Sequence, residues 1–310
     1  MMSRVALVTV SDDRSGRKNG KYSETQDRIR SIFEQNRNFG ITDLFFWKWE
    51  DILNTSFYEE NKKMLDHMDP AMNGRCYKPF VIKEALEKLG DGDFLIYNDV
   101  SPEWWPMDLY SIDPSVYNLE IILNLCIKNG GILTADANWY ACGGTGDHTH
   151  ENFTLERCMA RMGMTEYRHG LQHASGMIVL VKSKKSVDFI NEWLKWNLID
   201  ECASLGSIES DPVPPDRCLC EYWHEEVERY GKIGHRHDQS ISGLLINKIG
   251  NNLIKNVGKY NFLDYCMIEH EYIFIESNSP ASEFVYKTKF IGGSWQYVKI
   301  PREEIKLESE

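Results

Sequence analysis

No stretch of this 310-residue chain approaches the roughly 18 consecutive apolar residues that a membrane-spanning helix needs. Its start, Met1-Met2-Ser3-Arg4, runs straight into an apolar segment, without the charged end and short apolar core of a secretory leader. Both absences lead us to expect a cytoplasmic chain with no transmembrane segment and with its thiols reduced. A basic excess is missing too: 35 Lys and Arg stand against 47 Asp and Glu, for a net charge of −12. Affinity for a nucleic-acid backbone comes from Lys and Arg, so that partner class is excluded. A small phosphorylated ligand needs only a local cation or a metal and stays open. The 8 cysteines are scattered, and the one close pair, Cys218 and Cys220, does not have zinc-knuckle spacing. The glycine-dense run Cys142-Gly143-Gly144-Thr145-Gly146-Asp147 lacks the Lys-Ser/Thr of a P-loop and is no dinucleotide fingerprint. Repeats and low-complexity tracts are absent.

Aromatic content is high, at 12% with 9 Trp and 15 Tyr, which suits a large core and equally a surface where flat rings pack on sugars. The chain is organised around one stretch. Gly74-Arg75-Cys76-Tyr77-Lys78-Pro79 opens a helix, because proline fits the first turn, where its missing N–H costs nothing. Phe80, Ile82, Ala85, Leu86 and Leu89 then recur at helical spacing, and Gly90 and Gly92 turn the chain. The short apolar run of residues 94–97 suits a strand covered on both faces. It delivers Asn98-Asp99-Val100-Ser101 at its carboxyl tip, where open α/β sheets bind ligands. Residues 5–10 form a similar strand ending in Ser11-Asp12-Asp13, either a nucleotide site or a solvated turn. Pro102-Glu103-Trp104-Trp105-Pro106-Met107 serves equally well as a wall for a sugar or as a lid on the sheet edge. Further strands are expected at 41–49, 132–135 and 177–181, with helices at 23–36, 57–67, 117–128, 153–162, 186–198, 220–230 and 240–249. Two more strands are expected at 272–275 and 284–290, followed by a charged tail.

These residues, with Ala174-Ser175-Gly176-Met177-Ile178-Val179-Leu180 and His235-Arg236-His237-Asp238-Gln239-Ser240 in the same order, resemble the signature of a family of nucleotide-sugar glycosyltransferases with the GT-A fold. The resemblance covers roughly residues 5–250. The acidic tip reads Asn98-Asp99-Val100-Ser101 where better-known relatives carry a paired Asp-x-Asp. The fold implied is α/β, with a mostly parallel central sheet flanked by helices. Residues 1–265 would form this domain, and residues 266–310 a β-containing extension packed on it.

The implied activity is transfer of a sugar from a UDP- or GDP-linked donor to a glycan or other small hydroxyl acceptor. Such chemistry must neutralise a departing diphosphate, stabilise a cation-like anomeric carbon and accept a proton. Thr9, Ser11 and Asp12 are candidates for holding the nucleoside. Arg75 and Lys78 are candidates for phosphate or sugar contacts, or else surface charges at a helix entry. Mn²⁺ or Mg²⁺ would take Asp99, with Asn98 or Ser101 adding a neutral oxygen and His235 and His237 completing the set. Asp238 would face the reacting sugar, unless it only caps the following helix, and Asp136 competes for the role of general base. A second His-x-His, His148 and His150, supports a rival reading as a metal-dependent hydrolase. A catalytically silent sugar-nucleotide binding protein is the third.

Overall fold

The apolar run near the start forms β1 (Val5–Ser11), buried along its whole length. Alternate residues face opposite layers: Ala6 and Val8 join one core, Val5 and Leu7 the other. The structure, a computed structural model, describes residues 3–15, 21–35, 39–67, 76–101, 118–137, 149–203, 235, 237–254, 262–266, 272–276, 284–291 and 294–301. Arg75, His148, Arg236, the runs 102–107 and 142–147, the Cys218–Cys220 pair, the helix expected at 220–230 and the charged tail lie outside these residues.

After β1 come α1 (Tyr22–Gln35), β2 (Asp43–Lys48), α2 (Trp49–Leu53), α3 (Ser56–His67), α4 (Lys78–Glu87), β3 (Phe94–Asn98), α5 (Leu119–Lys128) and β4 (Ile132–Asp136). Two short helices, α6 (His150–Phe153) and α7 (Glu156–Met162), lead to β5 (His173–Val181). Then follow α8 (Lys184–Asn197), α9 (Asp200–Ala203), α10 (Asp238–Ile249), β6 (Asn252–Ile254), a 3-10 turn (Phe262–Cys266), β7 (Tyr272–Glu276), β8 (Phe284–Ile291) and β9 (Ser294–Pro301). Among the described residues, no helix is long and apolar enough to cross a membrane.

The strands form one sheet in the order β2-β1-β3-β5-β4-β6-β7-β8-β9. From β2 to β6, five of the six strands run the same way, because only β5 is antiparallel to its neighbours. The expected α/β architecture, a mostly parallel sheet flanked by helices, is the one the chain adopts. One core holds α4, α8 and α10 against the sheet, and the other holds α1, α5 and the 3-10 turn. Strands β7 to β9 continue the same sheet as antiparallel neighbours beyond β6.

Two features shape the carboxyl edge. The tips of β2, β1, β3 and β4 all end there, and antiparallel β5 begins there. On β5 the pairing with β4 jumps from Ile178 opposite Thr134 to Ala174 opposite Ala135. Ser175, Gly176 and Met177 therefore bulge from the β4 side of the ladder. Such bulges re-aim side chains beside sites. The Asp99 N–H still donates to the Gly176 carbonyl at 2.8 Å, so the bulge stays tied to the β3 tip.

Candidate active site at the carboxyl edge of the sheet

Lys78 is the first residue of α4, with Pro79 beside it in the opening turn. Helix and side chain are both buried, so the ammonium must find its partners inside the protein. It reaches Asp238 Oδ2 at 2.9 Å and Asp99 Oδ1 at 3.4 Å, with all three side chains at most 7% exposed. It also donates to Ser175 Oγ and to the Ser175 carbonyl, at 3.2 and 3.3 Å, and lies over the Tyr97 ring. The Ser175 hydroxyl in turn donates to Asp238 Oδ2 at 2.9 Å, and the Tyr97 hydroxyl donates to Asp99 Oδ1. Among the described residues, two carboxylates share this one ammonium away from bulk water.

Asp238 opens α10, but its carboxylate does not cap that helix. The residue at the cap position is His237, which makes no side-chain capping bond. The Asp238 side chain instead turns to Lys78 and Ser175, while its carbonyl accepts from Trp193 Nε1 at 2.8 Å. His237 has φ 47°, ψ −116°, and no other non-glycine among the described residues has positive φ. That conformation is costly for a residue with a Cβ, and such strain gathers at functional sites.

The histidines expected to bind metal are placed otherwise. His235 Nδ1 accepts the Leu155 N–H at 3.2 Å, and its Nε2 lies 2.8 Å from the Cys202 carbonyl. Both ring nitrogens are thus used within the protein. His237 donates from Nδ1 to the Ala203 carbonyl at 2.9 Å, which leaves the ring lone pair on Nε2. Lys78 occupies the ground between the two acidic groups. Among the described residues no three His, Cys, Asp or Glu side chains are arranged to hold a metal. The set Asp99, His235 and His237 does not fit Mn²⁺ or Mg²⁺ in this arrangement.

The nucleoside candidates divide. Thr9 Oγ1 accepts from Gln26 Nε2 at 2.8 Å and Ser11 Oγ donates to Gln26 Oε1 at 3.0 Å, so both hydroxyls fasten α1 to β1. Asn98 is likewise structural, since its Oδ1 accepts the Phe262 N–H at 2.8 Å from the opposite layer. Asp12 is different. It lies at the β1 tip and takes Arg14 Nε and Nη2 in a fork at 2.9 and 2.6 Å, with the Tyr77 hydroxyl at 3.1 Å.

Asp136 is buried at the β4 tip, opposite His173 in register. His173 is fully buried, and neither ring nitrogen has a hydrogen-bond partner. Burial, then the nearby His150 and Lys78, push its imidazole down to about 3. It is a neutral ring at ordinary pH. His150, the residue behind the hydrolase reading, is held at Nδ1 by Thr154 Oγ1 and at Nε2 by Asn247, at 2.8 and 3.2 Å. The first contact closes its own segment, and the second ties α6 to α10.

Sequence reasoning singled out neither Ser175, Tyr97, Tyr77 nor the Arg14–Trp49 pair. Tyr97 was within reach, because a strand places residues two apart on one face and Tyr97 precedes Asp99 by two. Ser175 was not, because its direction is set by the bulge.

No family model matches this chain, and no curated protein matches it. Among solved structures, mouse xyloside xylosyltransferase 1 in its apo form is similar at a TM-score of 0.32 and 8% identity, over 79% of this chain and 82% of that one. A likeness at that score carries no argument.

Proposed function

We propose that the protein transfers a sugar from a nucleoside diphosphate sugar to a hydroxyl acceptor. One observation carries the reading. Lys78, Asp99, Ser175 and Asp238, drawn from four segments spread over 161 positions of sequence, meet in one buried ionic cluster at the carboxyl edge. These are the segments on which the resemblance to GT-A glycosyltransferases rests. Two strand spacings, about 10 Å, separate the β1 tip with Asp12 from β5 with Ser175. The edge thus offers a nucleoside end at β1, a sugar position at β3 and β5, and an acceptor side at β4, where Asp136 lies.

The charge of the cluster sets its role. Paired carboxylates complement the positive charge that develops at the anomeric carbon, not the diphosphate. Asp238 presents that charge, and Lys78 is a positioning residue that holds Asp238 and Asp99 in place. The leaving diphosphate must meet another cation. In the step, the bond from the anomeric carbon to the phosphate oxygen breaks and its electron pair leaves with the nucleoside diphosphate. The acceptor oxygen bonds to the anomeric carbon, and its proton passes to a carboxylate, for which Asp136 is the candidate. Without acceptor, water takes its place and free sugar results.

The test incubates the protein with UDP- and GDP-linked sugars, with Mn²⁺ or with EDTA, and measures nucleoside diphosphate release. Slow release that survives EDTA is expected. Binding without release returns the protein to the silent class, and nucleotide-independent hydrolysis of other esters would favour the hydrolase.

A further inference from the structure

Beside the ionic cluster lies a second arrangement that the reaction does not use. Trp49, the first residue of α2, follows the β2 tip, and its ring is fixed by Tyr77 at 5.5 Å and by an edge-on Tyr58 at 6.2 Å. The Arg14 guanidinium lies on the indole, with Cζ 3.4 Å from the ring centroid. The same guanidinium offers Nε and Nη2 to the two oxygens of Asp12, at 2.9 and 2.6 Å. Tyr77 donates to Asp12 Oδ2 at 3.1 Å and holds the carboxylate in its plane. A flat group with two parallel N–H donors is thus stacked on an aromatic face and read by a fixed carboxylate. Only one-third of the Arg14 side chain is exposed, and Asp12 and Trp49 are buried beneath it.

We infer that Arg14 stands where a nucleobase belongs, and that the base is guanine. Position 2 of guanine is a carbon bonded to three nitrogens, and its N1–H and 2-amino group project two parallel donors, the pattern Arg14 presents to Asp12. Stacking on Trp49 then replaces a cation–aromatic contact with a base–aromatic one. Uracil offers one N–H between two carbonyl oxygens, and one of those oxygens would face the second oxygen of Asp12. Like partners of that kind repel, so the site discriminates against it. The inference rests on the nucleotide-sugar reading and narrows its donor class to guanosine diphosphate sugars. It also makes Arg14 a displaceable placeholder: in the free protein it competes with the donor, and on binding it is released at the nucleoside end of the edge.

The experiment titrates the full chain with GDP and with UDP, without sugar, by calorimetry and by Trp fluorescence. A bidentate base contact is worth about fivefold to 150-fold in discrimination, so GDP is expected to bind at least about fivefold tighter than UDP. Arg14→Ala, which removes the competitor, is expected to tighten GDP by about twofold to thirtyfold. Arg14→Gln, which keeps more of the stem, should move affinity in the same direction. Asp12→Asn should bring the two nucleotides to within about twofold, because one acceptor becomes a donor. UDP binding as tightly as GDP overturns the guanine assignment and leaves the nucleotide-sugar reading standing. Weaker GDP binding in both Arg14 variants, with melting temperatures unchanged, overturns the placeholder. Failure of both nucleotides to bind any of these proteins overturns this inference and the reading beneath it.

Discussion

Replacing Lys78 with methionine removes one charge while keeping most of the stem. The ammonium lies 2.9 Å from Asp238 and 3.4 Å from Asp99. At an effective dielectric of about 20, those contacts are worth roughly 6 and 5 kcal/mol in gross attraction. Desolvating three ions costs several kcal/mol each, so the intact cluster contributes little net stability. Removing the cation alone is another matter. The attraction disappears, the two carboxylates stay desolvated, and each now repels the other. Stranding a buried partner in this way costs about 3–5 kcal/mol. Asp238→Asn should cost less, about 1–3 kcal/mol, because Lys78 keeps Asp99 as a partner. The assay is urea unfolding followed by Trp fluorescence at neutral pH, on wild type, Lys78→Met, Asp238→Asn and the double variant. The double variant should lose less than the sum of the singles, with a coupling above about 1 kcal/mol. A Lys78→Met cost under about 1 kcal/mol, or strict additivity, would refute the shared-ammonium account.

Three further outcomes follow from particular contacts. Because the folded His173 imidazole is depressed to about 3, the unfolded chain takes up its proton first, so the stability it secures is complete above about pH 6.5. That stability is lost as pH falls toward 3, by about 2 kcal/mol at pH ~5. His173→Leu should flatten that part of the stability–pH curve, read by melting temperature across the range. Gly243→Ala should destabilise by about 1–3 kcal/mol, since a Cβ there would lie 2.7 Å from His150 Cε1 within a packed helix contact. Relief of the loss in Gly243→Ala by His150→Ala would confirm the clash. Ser175→Ala should destabilise by about 1–3 kcal/mol and lower turnover, because it removes a donor to Asp238 Oδ2 inside the buried cluster.

Much of the fold was legible because continuous apolar runs report strands buried on both faces. Those of β1, β3 and β4 are such strands. Helix starts were less so. The helix expected from residue 186 begins at Lys184, because Ser183 and Ser186 form a reciprocal cap that moves the start by half a turn. In the site, Asp99 and Asp238 could be named from their motifs, but their shared partner could not. In sequence Lys78 reads either as a phosphate or sugar contact or as an entry charge, and only the packing of α4 against α8 and the sheet turns it inward onto the two carboxylates. His235 is a related case. Titratable residues suggest ligands, yet His235 uses its ring to join the starts of α7 and α10 to α9. Pairing across long sequence separations decides such matters, and no local pattern encodes it.

The central claim is that the Asp238 charge faces the reacting sugar. Its most direct test is the rate of nucleoside diphosphate release from a bound donor sugar by wild type and Asp238→Asn, with donor affinity measured in parallel below the melting range of both. The account predicts a fall of about 10²-fold or more in rate with donor affinity nearly unchanged, the cost of one such electrostatic contact. Equal rates in the two proteins would contradict it and leave Asp238 with a purely structural part beside Lys78.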